Sequence, residues 1–151
     1  MTSLTWPNDL WRPMDPAEAG VEGVEAVAAR TGLPGGYTPL MSVRRALVPV
    51  GAPLDGVADD AALRFARQTG TAERLQLTRT DGPAPGLSQL LGATVEVDGR
   101  TYDLRQLDGV LGTVQPDGST AVLVVSAVCT ADQLPVVGPE LGAVLTSVSA
   151  A

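Results

Sequence analysis

Pro116-Asp117-Gly118 turns the chain into Ser119-Thr120-Ala121-Val122-Leu123-Val124-Val125-Ser126-Ala127-Val128-Cys129, and this stretch decides the fold. Valine dominates it, and apolar residues occupy both alternating sets of positions. β-Branched residues favour a pleated strand over a helix. A strand that is apolar on both sides has to be covered on both, so this one reads as the centre of a sheet between two layers.

Working outward, further strands flank it. Val110 to Gln115 and Thr101 to Leu107 precede it. Before them Ala93, Val95 and Val97 alternate with Thr94 and Glu96, and Asp98-Gly99 supplies a strong hairpin turn. Glu73 to Thr80 alternates with Leu75 and Leu77 on one side, and Asp81 to Gly86 is a proline-glycine turn. Tyr37 to Val50 reads as a long strand through Met41, Val43 and Leu47, closed by Pro49. Its adjacent Arg44 and Arg45 must leave on opposite faces.

Two helices complete the pattern. Val57 to Gln68 places Val57, Ala61 and Phe65 on one face, with Asp59 and Asp60 near its positive end, Arg64 and Arg67 in its far half and Gly70 as its stop. After a turn that Thr130 and Gln133 are suited to cap, Val137, Leu141, Val144, Leu145 and Val148 mark a closing amphipathic helix interrupted by Pro139. The expected class is α+β, a three-layer α/β/α sandwich around a mostly antiparallel sheet, in one domain spanning residues 1–151.

The N-terminal part is less determined. Residues 1–20 read as an irregular arm with a short edge strand. Asp15-Pro16-Ala17-Glu18 is a credible helix start, and Ala17, Val21, Val24 and Ala28 keep helical spacing. Gly20 and Gly23 interrupt that helix, and a strand over Val24 to Arg30 competes with it. Trp6 and Trp11 either fold back onto their own domain or anchor a partner.

The 151 residues include no histidine and no lysine, and a single cysteine, Cys129. All ten basic residues are arginine, a bias expected of a GC-rich, actinobacterial genome. A 44% hydrophobic and 18% charged composition rules out wholesale disorder, and a net charge of −7 disfavours nucleic acid or an anionic membrane. No apolar run reaches spanning length, and Met1 to Trp11 has neither a basic nor an apolar leader segment, so the expected location is cytoplasmic. Cys129 reads as a small buried hydrophobe.

The catalytic inventory is thin. Gly86-Leu87-Ser88-Gln89-Leu90 approaches a nucleophile elbow but lacks the second glycine and any histidine partner. Gly32-Leu33-Pro34-Gly35-Gly36 has no lysine for a phosphate loop. A zinc or calcium site lacks its ligands. Asp98, Asp103, Asp108 and Asp117 fall on hairpins, mostly in Asp-Gly turns, where a backbone role accounts for them. The expectation is therefore no catalytic residue, no cofactor and no metal.

The segments Gly35-Gly36-Tyr37-Thr38-Pro39, Asp59-Asp60-Ala61-Ala62-Leu63, Leu75-Gln76-Leu77, Val97-Asp98-Gly99-Arg100 with Tyr102, and Val144-Leu145-Thr146-Ser147-Val148 together resemble the PsbP-like superfamily. That superfamily includes the extrinsic P protein of photosystem II, a Ran-binding import factor, LpqN-type lipoproteins and chaperones of type VI secretion effectors. The resemblance runs from Val24 to Ser149 and favours the strand reading at Val24 to Arg30. It implies a non-catalytic protein-binding domain: an adaptor, chaperone or immunity-type protein, linked to a secretion system, whose partner is encoded by a neighbouring gene. Trp6, Trp11, Arg44 and Arg45 are the candidate partner-binding residues. The alternative is a lipid or small-molecule module with an apolar cavity.

Overall fold

The computed structural model describes residues 5–21, 23–81 and 84–149. Seven strands form one sheet: β1 (Trp11–Met14), β2 (Ala26–Arg30), β3 (Leu40–Val48), β4 (Glu73–Thr80), β5 (Gly86–Val97), β6 (Arg100–Val114) and β7 (Thr120–Thr130). Their order across the sheet is β1-β2-β3-β7-β6-β5-β4, and every neighbouring pair is antiparallel. The valine-rich segment is β7, and it lies at the centre between β3 and β6, as its two apolar faces require.

Alternation along β7 assigns the helices to faces. Val122 and Val124 point to α1 (Asp55–Thr69), packing with Ala58, Val110 and Leu87. Leu123, Val125, Ala127 and Cys129 point to α2 (Leu134–Ser149), packing with Val137, Leu141 and Val144. Adjacent residues of one strand face opposite layers, so the sheet lies between the helices.

The helices stop and start where local chemistry dictates. α1 ends at Gly70, whose φ of 90° lets its N–H reach back to the Ala66 carbonyl. The turn before α2 is a reciprocal cap: the Gln133 N–H donates to Thr130 Oγ1, and the Thr130 N–H donates to Gln133 Oε1. Gln133 Nε2 also donates to the Pro34 and Tyr37 carbonyls, fixing the glycine-rich loop against the end of β7. Pro139 lies inside α2 on its exposed side, early enough for the helix to continue.

Of the two readings open for the segment after Asp15, the strand forms and the helix does not: Asp15 caps a single turn through Ala17 and Ala19, and the chain then enters β2. Gly20 and Gly23, both at positive φ, break the helical path. Gly86 to Leu90 lies within β5, so Ser88 is a strand residue. Thr101 to Leu107 and Val110 to Gln115 are one continuous strand, β6, so Asp108-Gly109 lies mid-strand. The dipeptide Asp98-Gly99, by contrast, is a turn with φ of 51° and 78°, as a two-residue hairpin demands. Leu75 and Leu77 do not share one side cleanly, because a bulge between Arg74 and Gln76 leaves Leu75 exposed.

Candidate functional site

The two faces of the sheet carry different surfaces. Among the described residues, the sheet on the α2 side extends beyond the last turn of the helix. There Val148 of α2, Leu111 of β6, Ala121 and Leu123 of β7 and Arg45 of β3 line an open groove of about 470 Å³, with Pro85 at its edge. Leu47, on the same face and paired with Ala121, is 68% exposed. Arg45 Nε donates to Glu25 at 2.8 Å, and both side chains are half exposed. A solvent-exposed pair of this kind contributes only about 0.2–1 kcal/mol, so it exchanges readily.

On the α1 side, the centre of the sheet holds a polar network. Asp108 is fully buried and accepts from Ser126 Oγ, from Gln89 Nε2 at 2.8 Å and from Gln106 Nε2 at 2.9 and 3.2 Å. Gln89 also donates to the Ala58 carbonyl and accepts from Arg74 Nε, and Arg74 bridges on to Asp59. Burial raises the Asp108 carboxyl above its ordinary value, opposed by those hydrogen bonds and by Arg64. Its role is therefore not the local backbone one expected of an Asp-Gly pair. It links β5, β6 and β7 beneath α1.

Next to this network is a smaller pocket of about 120 Å³ under α1. Its polar lining includes Tyr37, Ser42, Arg44, Arg64, Gln106 and Ser126, and its apolar lining includes Val27, Leu40, Phe65 and Val128. Burial lowers the Arg44 guanidinium from its ordinary value, the nearby Arg64 charge lowers it further, and Asp108 counteracts both. Tyr37 is pushed upward by burial and stacks in a tilted arrangement on Tyr102 at 5.6 Å.

The four sequence candidates end up apart. Arg44 and Arg45 do take opposite faces, Arg44 in the α1-side pocket and Arg45 at the α2-side groove. Trp11 is 2% exposed inside the α2-side core, with its indole N–H donating to Glu140 at 3.0 Å. As folded, its ring offers no surface to a partner. Trp6 packs, half-buried, against the same core. Neither tryptophan lines the groove. Sequence reading missed Asp108, Gln89 and Ser126. The signal was their phase: each is a polar residue at an otherwise apolar alternating position, in Leu87-Gln89-Leu91, Asp108-Val110 and Val124-Ser126-Val128.

Cys129 is fully buried, and burial raises its thiol to about 11. Ser126 Oγ donates to the Asp108 carboxylate, which also accepts from Gln89 and Gln106. Among the described residues, no cluster of His, Cys, Asp or Glu is placed to hold a metal ion, and no helix is long and apolar enough to cross a membrane.

A seven-stranded antiparallel sheet with a helix on each face defines an α+β sandwich of LpqN-like fold. The solved structure it is similar to is LpqN of Mycobacterium tuberculosis, described as involved in cell envelope biogenesis. The likeness has a TM-score of 0.57 at 13% identity and covers 95% of this chain and 79% of that one. At such identity the likeness shows the fold alone. No protein-family model and no curated protein matches the sequence.

Proposed function

We propose that this chain is a non-catalytic protein-binding domain, an adaptor or chaperone of the PsbP-like kind, and that it holds its partner in the α2-side groove. The observation that carries the reading is the open groove beside Val148, which the described residues leave uncovered and where apolar surface lies next to the exposed Leu47. Exposed apolar surface rimmed by polar groups is characteristic of interaction sites. The occupant that fits is an amphipathic segment of another protein, with apolar side chains on Leu47 and Leu111 and an acidic side chain toward Arg45. Arg45 is a cation at the rim of a chain whose net charge is −7, and its bond to Glu25 is weak enough to be replaced. The absence of histidine and lysine from the sequence supports a binding role over a catalytic one.

The test is titration of the purified protein with each product of the genes flanking its own. At least one should bind at micromolar concentration, and Leu47→Asp and Arg45→Glu should each weaken it about tenfold or more, as loss of an interface anchor does. Both positions are exposed, so the melting temperature should not move. Binding unaffected by either variant would remove the groove from the account.

A further inference from the structure

The face of α2 turned away from the sheet carries no charge. Glu140 is the one charged residue of the helix, and its carboxylate is taken up by Arg30, Trp11 and Asn8. α1 is different: Asp59, Asp60 and Arg67 are all exposed on it. The stripe of α2 that packs on the sheet is Val137, Leu141 and Val144. Opposite it runs a second stripe, Val136, Pro139, Ala143 and Thr146, every member exposed and Val136 at 39%. Its spacing, alternately three and four residues, is that of a helix–helix seam. A helix without a charged face is one that is covered on both sides, and charged residues are depleted at the centres of protein interfaces.

We propose that this face joins two copies of the chain, their α2 helices running antiparallel about a two-fold axis at the level of Leu141. Val136 then meets Thr146 of the second copy and Pro139 meets its Ala143, each contact made twice, as an isologous interface requires. The side chains suit close approach. Ala143 and Pro139 are compact, and a Cβ on the neighbouring Gly142 would meet nothing within 4 Å. The helix axes can therefore come to about 8 Å, the near end of helix packing distances. A membrane surface asks instead for large apolar and basic side chains, which the stripe lacks. Charge selects a second copy as the occupant. Each chain carries −7, so two copies repel through their acidic surfaces and meet at least cost where neither bears charge. A basic partner would find no countercharge there. The helix of 16 residues is about 24 Å long, and a contact of that length and about 10 Å width falls short of the roughly 800 Å² per partner of a standard interface. The dimer is therefore weak and exchanging. It is also separate from the groove, to which α2 contributes Val148 and no residue of the exposed stripe.

The experiment is sedimentation equilibrium of the full chain from about 5 to 500 µM, where a monomer–dimer equilibrium with a Kd of about 10–200 µM should appear. Ala143→Arg and Val136→Glu each bring a charge into the seam and should raise that Kd about tenfold or more. Both positions are exposed, so the melting temperature at low concentration should not move. Added salt should tighten the dimer, because it screens the repulsion between two acidic chains. Leu47→Asp should leave the dimer unchanged. The register has its own readout. An equimolar mixture of Pro139→Cys and Ala143→Cys chains should cross-link on oxidation several-fold faster than either variant alone, and the fully buried Cys129, its thiol raised to about 11, should not compete. A monomer mass up to about 500 µM, a dimer of equal strength in Ala143→Arg, or a dimer weakened by salt would overturn the proposal. Cross-linking no faster in the mixture would overturn the antiparallel two-fold arrangement.

Discussion

Glu140→Ala tests how the N-terminal arm is held. The Glu140 carboxylate accepts from Arg30 Nε at 2.6 Å and Nη2 at 3.1 Å, from Trp11 Nε1 at 3.0 Å and from Asn8 Nδ2 at 2.8 Å. Asn8 is exposed, so water replaces its bond at little cost. Trp11 and Arg30 are 2% and 7% exposed and would be left without that acceptor. Removing one partner of a fully buried ion pair costs about 3–5 kcal/mol. The Glu140 side chain keeps 15% exposure, so water recovers part of that, and the expected loss is about 2–4 kcal/mol. Glu140→Gln keeps one acceptor oxygen for Trp11 and Arg30 Nε and should lose about half as much.

Urea denaturation reads this directly. With a slope of about 1–3 kcal/mol/M, the alanine variant should lower the midpoint by about 1–2 M, with the slope itself unchanged. The arm should also loosen, so chymotrypsin should cut after Trp11, buried in the folded arm, faster than in the wild type. The Arg30 bond holds the Glu140 carboxyl below its ordinary 4.5. Its stabilisation is therefore present above about pH 4.5 and disappears as pH falls through the lower folded value, so wild type and Glu140→Gln should converge in acid. A loss under about 0.5 kcal/mol, the size of an ordinary surface substitution, would refute the reasoning.

Other outcomes follow from the core. Asp108→Asn keeps an acceptor for Gln89 and can donate to Ser126, so it should cost under about 1 kcal/mol at pH 7.5, whereas Asp108→Ala should cost about 2–4 kcal/mol. Because burial raises the Asp108 carboxyl, its contribution is greatest below the ordinary Asp value and declines as pH rises through the folded one. Urea titrations across pH should therefore show Asp108→Asn gaining relative to wild type between pH 4 and pH 8. Gly109→Ala should lower stability by about 1–3 kcal/mol in the same assay, since its Cβ would overlap the Leu145 side chain. Cys129, fully buried and with its thiol raised to about 11, should resist iodoacetamide at pH 8 until urea unfolds the chain.

The two Asp-Gly pairs show where sequence reading reaches its limit. Asp98-Gly99 sits between two short alternating runs, and its turn is decided by backbone conformation, which is local. Asp108-Gly109 carries the same local preference, yet it lies mid-strand. Asp108 is held there by Gln89, Gln106 and Ser126 across three strands, and Gly109 leaves room for Leu145 of α2. Neither cause is local. The centre of the sheet was legible because β7 carries its two-sided burial in its own residues. The arm was not, because Trp11 is fixed by Glu140, 129 positions away. The groove was half legible: the opposite exits of Arg44 and Arg45 follow from the pleat. The place where α2 leaves the sheet uncovered depends on how the helix docks.

The central claim is that the α2-side groove holds another protein. Calorimetric titration of the wild-type chain, Leu47→Asp and Arg45→Glu against the products of the flanking genes tests it most directly. The account predicts a one-to-one complex at micromolar concentration or tighter with at least one of them, weakened about tenfold or more in both variants at unchanged melting temperature. No binding by any of them at about 100 µM, or equal affinity in all three chains, would contradict it.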